Sequence, residues 1–154
     1  MKARLLGVFA AGLAIFGTSL AAATPASASP YWQEVHTSSN WTCSPYKAHR
    51  LSFNIKFKTC IVRNSNNDAQ AVLVVQNSGT KAANIHGAIE QDLTGGVHDD
   101  THYSASCIMS TLNPGFTRGC FGTTFSGTSD IYAESELLMN GTEEANRSTD
   151  SWHG

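Results

Sequence analysis

The sequence predicts an all-β fold, an antiparallel β-sandwich of about seven strands with two disulfides. Short runs of residues with a two-residue hydrophobic period recur at intervals of about ten residues. Between them fall Gly, Pro, Asn and Asp, the residues that close turns. Four cysteines, Cys43, Cys60, Cys107 and Cys120, complete the pattern of a small stapled β-domain.

The N-terminus is set aside first. Lys2 and Arg4 precede an apolar stretch from Leu5 to Leu20, and Ala26-Ser27-Ala28 offers the small residues a signal peptidase requires. Residues 1–28 are therefore expected to be a signal peptide cleaved before Ser29, and residues 29–154 a single domain. The apolar stretch is interrupted by Gly12, Gly17, Thr18 and Ser19 and is shorter than the ~20 residues a spanning helix needs. Its Ala- and Pro-rich end resembles the signals of Gram-positive bacteria with GC-rich genomes. No second apolar run in the mature chain is long enough to span a bilayer. Removing Lys2 and Arg4 from the 10 basic residues leaves 8 against 12 acidic ones, a net charge of −4. Mild acidity without a Lys/Arg cluster excludes the electrostatic footprint of a nucleic-acid binder and of a protein held on an anionic membrane.

An even cysteine count in an exported chain reads as two disulfides, with three connectivities open. The sequence neighbours, Cys43–Cys60 and Cys107–Cys120, are favoured, each closing a short loop for about 3 kcal/mol. A cysteine-based zinc site has the wrong ligand spacing, because no Cys-x-x-Cys pair exists.

Along the chain, Ser29 to Thr42 reads as a ragged first strand bearing Tyr31, Trp32, Val35 and Trp41, and Ser44-Pro45 as a turn. The centre is a hairpin from Leu51 to Gly79. In its first arm Leu51, Phe53, Ile55, Phe57 and Ile61 share one face, and Ser52, Asn54, Lys56, Lys58 and Cys60 the other. Asn66, Asn67 and Asp68 turn the chain, and Ala71 to Val75 is a β-branched run suited to burial on both sides. Lys81 to Leu93 fits either period, but Gly87 in its middle favours a strand. Thr94-Gly95-Gly96 is a turn and Val97 to His102 a charged loop. Tyr103 to Leu112 is a strand with Tyr103, Ala105, Cys107 and Met109 on one side. Asn113-Pro114-Gly115 is a turn, and Phe116 to Phe125 returns as a strand stapled to its predecessor by Cys107–Cys120. Ser129 to Met139 alternates Ile131, Ala133, Ser135, Leu137 and Met139 against polar residues. Asn140-Gly141 ends it, and residues 142–154 read as loosely ordered except where Trp152 packs.

Two segments carry a family likeness. Leu73-Val74-Val75-Gln76-Asn77-Ser78-Gly79-Thr80 followed by Ala83-Asn84-Ile85, and Leu112-Asn113-Pro114-Gly115-Phe116-Thr117, resemble strand-end and turn motifs of bacterial immunoglobulin-like modules of the CARDB type. The likeness covers about a quarter of the mature chain. It implies an immunoglobulin-like sandwich used for adhesion or binding, and it carries over no catalytic residue.

Candidate chemistry is sparse. The densest set of metal-ligand types is His98, Asp99, Asp100 and His102. With no helix to place the histidines on one face, it reads as a solvated loop, and neither a metal nor another cofactor is expected. His86 and Glu90 would serve as an acid–base pair with Arg118 stabilising an anion, as in a small secreted hydrolase. On a strand, however, they lie about 13 Å apart at ~3.3 Å per residue. Ser104 and Ser106 lack the Gly-x-Ser-x-Gly elbow. Trp32, Trp41, Tyr31 and Trp152 are candidate binding aromatics, or else caps on the sandwich ends. Pro114 heads a braced loop of the kind an inhibitor presents to a protease or amylase.

The expected function is therefore that of a secreted, non-catalytic protein binding an extracellular protein or cell-envelope component. Inhibition of a secreted hydrolase through the braced loop is the first alternative, and a small secreted hydrolase the second.

Overall fold

The computed structural model describes residues 29–94, 102–127 and 130–150, so the expected signal peptide lies outside the described residues. Ten strands are found there: β1 (Ser29–Glu34), β2 (Trp41–Cys43), β3 (Lys47–His49), β4 (Ser52–Arg63), β5 (Asp68–Asn77), β6 (Ala83–Thr94), β7 (His102–Leu112), β8 (Thr117–Ser126), β9 (Asp130–Met139) and β10 (Thr142–Asp150). A six-stranded sheet has the order β1-β8-β5-β4-β2, with β3 also pairing β4, and a four-stranded sheet has the order β10-β9-β6-β7. All pairings are antiparallel.

The central hairpin forms as expected. Asn64 Oδ1 accepts from the backbone N–H groups of Asn66 and Asp68, and Asn67 adopts a φ of 63°. This Asx-type turn sets the register Ile61↔Ala71 to Ile55↔Asn77. Ala71, Val72, Leu73, Val74 and Val75 are all fully buried. The odd-numbered members face the other sheet with Ile55, Phe57 and Ile61. Val72 and Val74 instead join Cys60 and Val35 in a smaller cluster on the sheet's outer face, covered by Trp41, Val62 and Phe121. There Cys43 and Cys60 are direct register partners on β2 and β4 and form the first disulfide. The ragged first strand of the sequence is thus two strands on opposite edges of this sheet, with Lys47–His49 adding a third short edge piece.

The four-stranded sheet closes the core from the other side. Along β9, Ile131, Ala133, Ser135, Leu137 and Met139 are buried as the alternation requires. Lys81 to Leu93 contains strand β6, as read. Gly87 on it lets the sheets approach, since a Cβ there would stand 2.5 Å from Leu73 Cδ2.

Four expectations are corrected. Residues 142–150 are not loose but form β10, paired with β9 through a two-residue turn in which Asn140 and Gly141 have φ of 50° and 80°. Asn-Gly with both φ positive is the tight hairpin turn, so it reverses the chain where a simple stop was read. Met109 does not share the face of Cys107. The register passes from Gly87↔Cys107 to Ile85↔Ser110, so β7 carries one extra residue and the bulge leaves Met109 76% exposed. The pairing Cys107–Cys120 is as expected, but it joins the two sheets, since β7 and β8 belong to different ones. Finally, Leu51 and Phe53 lie outside the core, because β5 ends at Asn77 opposite Ile55 and the β4–β5 ladder goes no further.

The seven longest strands, β4 to β10, carry the architecture. β4, β5 and β8 lie in one sheet, β6, β7, β9 and β10 in the other, and the chain crosses between sheets after β5, β7 and β8. With these crossings the fold is an immunoglobulin-like sandwich. Its open sides are sewn shut. On one, Trp32 Nε1 donates to the Ile108 carbonyl at 2.8 Å. On the other, Lys47 Nζ donates to the Ala145 carbonyl, and His49, buried, bonds the Thr142 carbonyl at 3.0 Å through Nε2.

Buried polar groups fix how the sheets face each other. The Thr59 and Ser135 hydroxyls, both fully buried, bond across the interface at 2.6 Å, and Thr59 also donates to the Asn146 carbonyl. A bulge in β8 between the pairs Gln70↔Thr124 and Val72↔Phe121 breaks the ladder around Ala71. Gln91 reaches from the opposite sheet to repair it: Oε1 accepts from Ala71 N at 2.7 Å, and Nε2 donates to the Thr123 carbonyl at 3.1 Å. Replacing Gln91 by Leu keeps the volume but leaves the buried Ala71 N–H and the part-buried Thr123 carbonyl without these partners, the buried group alone costing about 1–3 kcal/mol. Urea unfolding of Gln91→Leu is expected to show a stability loss of about that size with an unchanged denaturant slope.

Candidate functional site

The structure disperses most residues the sequence singles out. His98, Asp99 and Asp100 lie outside the described residues, and His102 opens β7. Among the described residues no group of three or more His, Cys, Asp or Glu is placed to hold a metal ion. His86 and Glu90 lie on β6 of the four-stranded sheet, whereas Arg118 is on β8 of the other. Arg118 is engaged there, 3.5 Å from Glu34 and stacked over Phe116. Ser104 and Ser106 are exposed on β7. Trp32 packs on the main core while bonding Ile108, and Trp41 stands edge-on to Phe121 at 6.3 Å. Both are half-buried seals over core clusters. Trp152 lies outside the described residues.

The loops tell more. One end of the sandwich gathers the β3–β4, β5–β6, β7–β8 and β9–β10 connections, and Asn77 ties two of them, β5–β6 and β7–β8, together. Almost wholly buried at the end of β5, Asn77 donates from Nδ2 to the carbonyls of Lys81 and Leu112 and accepts the Gly79 N–H at Oδ1. Its backbone N–H donates to the Phe116 carbonyl, and its own carbonyl accepts from Gly115 N at 2.8 Å. The turn bearing Pro114, exposed and with Gly115 at a φ of 80°, is therefore anchored to the central strand. Ser78 N and its hydroxyl both donate to the Asn54 carbonyl, tying in the start of β4.

Above this rigid base project Leu51, 50% exposed, and Phe53, 87% exposed. Leu51 lines one side of a cleft of about 420 Å³ that runs past Asn77, Lys81, Met139 and Asn140. Covering such side chains would gain about 1.5–3 kcal/mol for each one fully buried. Sequence alternation groups both with Ile55, Phe57 and Ile61, the members of that face which are buried. Counting back from the Asn-rich turn would have found them: Phe53 falls opposite Gly79, past Asn77 where the partner strand ends.

No protein-family model matches the chain, and no curated protein matches it. Among solved structures it is similar to the GAE domain of GGA2p from Saccharomyces cerevisiae, with 12% sequence identity, 72% of this chain and 99% of that chain covered, and a TM-score of 0.29.

Electrostatics divide the surface. Beside the loop end, the Glu144 carboxyl is held below its usual range by the Arg50 backbone N–H at 2.9 Å and by Lys47 at 3.0 Å. On the outer face of the four-stranded sheet, Glu136 is pushed up, first by burial and then by the neighbouring carboxylates Glu143, Glu90 and Glu134. A carboxyl whose pKa is raised by folding penalises the folded state above that raised value. The penalty fades as pH falls to the ordinary carboxyl range, where both states are protonated. A depressed carboxyl such as Glu144 stabilises above the ordinary range and loses this on acidification. Glu136→Gln is thus expected to raise the thermal midpoint at pH 8, with the gain gone near pH 4. Glu144→Gln is expected to lower it at pH 8 and to converge with the parent in acid. Thermal unfolding from pH 8 down to below the ordinary carboxyl range reads both.

Proposed function

We propose that the chain is a secreted, non-catalytic binding module that engages an extracellular protein or cell-envelope component through the loop end of its sandwich. The observation that carries the reading is Phe53, an almost fully exposed aromatic beside exposed Leu51, on a base pinned by Asn77. Rigid loops carry little ordering cost on binding, so an aromatic anchor there is used efficiently. Two disulfides, and the absence among the described residues of any helix long and apolar enough to cross a membrane, fit an extracellular setting. A bacterial adhesion module of the CARDB type is a narrower form of this reading, supported by the Asn77-Ser78-Gly79 strand end and the Leu112–Thr117 turn.

Inhibition of a secreted protease or amylase is a second reading, favoured by one feature. The Pro114 turn is exposed yet tied to β5 on both sides, by Gly115 N to Asn77 and by Asn77 N to Phe116. For a hydrolase, His86, Glu90 and Arg118 would have to act from different sheets.

Capture from culture supernatant and cell envelope, with the disulfide-intact chain from Ser29 to Gly154 as bait, tests the first reading. A stoichiometric partner is expected. The Leu51→Ser/Phe53→Ser variant is expected to bind it at least tenfold more weakly, since an anchor of this kind is worth about 2 kcal/mol or more. Its unfolding midpoint is expected to match the parent's, because neither side chain is buried. Equal capture by the double variant would move the site away from this tip, and a captured hydrolase that the chain inhibits would favour the Pro114 loop.

A further inference from the structure

A second concavity lies on the outer face of the six-stranded sheet, above the buried Val74, and takes no part in the loop-end reading. It is an open cleft of about 450 Å³, within the roughly 300–1,000 Å³ typical of small-molecule sites. Tyr46, from the β2–β3 connection, and Phe116, from the turn before β8, are its two aromatic walls, 42% and 41% exposed. Glu34, His36, Thr37 and Thr117 supply its polar lining.

Both rings are held in place by cations. Lys58 Nζ sits 4.7 Å from the centroid of Tyr46, and Arg118 Cζ 4.7 Å from that of Phe116. Arg118 is further tied to Glu34 at 3.5 Å. Such contacts favour these ring positions and at the same time engage the positive charges.

The lining decides the ligand class. An anion would meet the Glu34 carboxylate at the rim and find both cations already engaged. A purely apolar ligand would strip water from Glu34, His36 and two threonines without replacing their hydrogen bonds, which is costly. A pyranose ring satisfies both demands: its C–H face packs on an aromatic ring, and its hydroxyls both donate and accept at the rim. Aromatic walls fixed in advance suit this, because the ring planes need not be ordered on binding. We infer that the Tyr46–Phe116 cleft binds a neutral oligosaccharide, a site separate from the Leu51/Phe53 tip.

Calorimetric titration of the disulfide-intact chain with the tetramer of N-acetylglucosamine, with cellotetraose and with maltotetraose tests this, a sulfated disaccharide serving as the anionic control. Saturable binding of at least one neutral probe at millimolar concentration is expected, with none of the sulfated sugar. Tyr46→Ala and Phe116→Ala are each expected to weaken binding at least tenfold. Tyr46→Phe retains it, because the ring face and not the hydroxyl does the packing. Leu51→Ser/Phe53→Ser binds the probe like the parent, which separates this site from the loop end. The inference is overturned if no neutral probe binds, if only the sulfated sugar binds, or if both alanine variants bind as the parent does.

Discussion

Burial of β5 on both of its faces is the constraint from which the rest of the structure follows. A strand whose consecutive residues Ala71 to Val75 are all apolar cannot turn either face to water, so it needs cover above and below. Leu73 and Val75 receive it from the four-stranded sheet. Val72 and Val74 receive it from Val35 and from Trp41 and Phe121 at the rim of the outer cluster. The short strands β1 and β2 are recruited to the edges of the six-stranded sheet for that purpose, and the Cys43–Cys60 bond fixes β2 beside β4. An immunoglobulin-like sandwich of seven long strands would otherwise leave one outer face of its central strand bare.

Once β5 is enclosed, polar groups determine how its ends and edges are finished. Thr59–Ser135 and Gln91 set the facing of the sheets, each replacing water for a group that the core would otherwise leave unpaired. Asn77 ties the β5–β6 and β7–β8 connections together at one end, and Ser78 adds the start of β4. The two proposed binding surfaces lie outside this closure: the Leu51/Phe53 tip above Asn77, and the aromatic cleft over Val74. Both owe their rigidity to the strand they border.

Much of this was legible in residue order, and the parts that were not share a cause. The alternation from Ile131 to Met139, the unbroken run from Ala71 to Val75 and the Asn-rich turn at residues 64–68 are local signals, and each strand they imply is present. Partner choice is not local. The spacing of Cys107 and Cys120 suits a hairpin and a crossing between sheets equally well, and only the placement of β8 beside β5 decides for the crossing. The bulge near Met109 shifts a face without any Gly or Pro to announce it. β10 is polar along much of its length because its cover is an edge seam made by Lys47 and His49, residues nearly a hundred positions away. Residues of the proposed surfaces were hidden for the same reason: Tyr46 and Phe116 come to line one cleft only through the sheet order, whereas Leu51 and Phe53 were within reach of a register count.

Native-state hydrogen exchange across the described strands examines the enclosure of β5 most directly. If both of its faces are sealed, the amides of Val72 to Val75 exchange only through global unfolding and are the slowest in the chain, while those of residues 50–54 exchange by local opening. Protection in β5 no greater than in the edge strands β1 and β2 would contradict the account, because it would mean that the outer cover opens without unfolding the core.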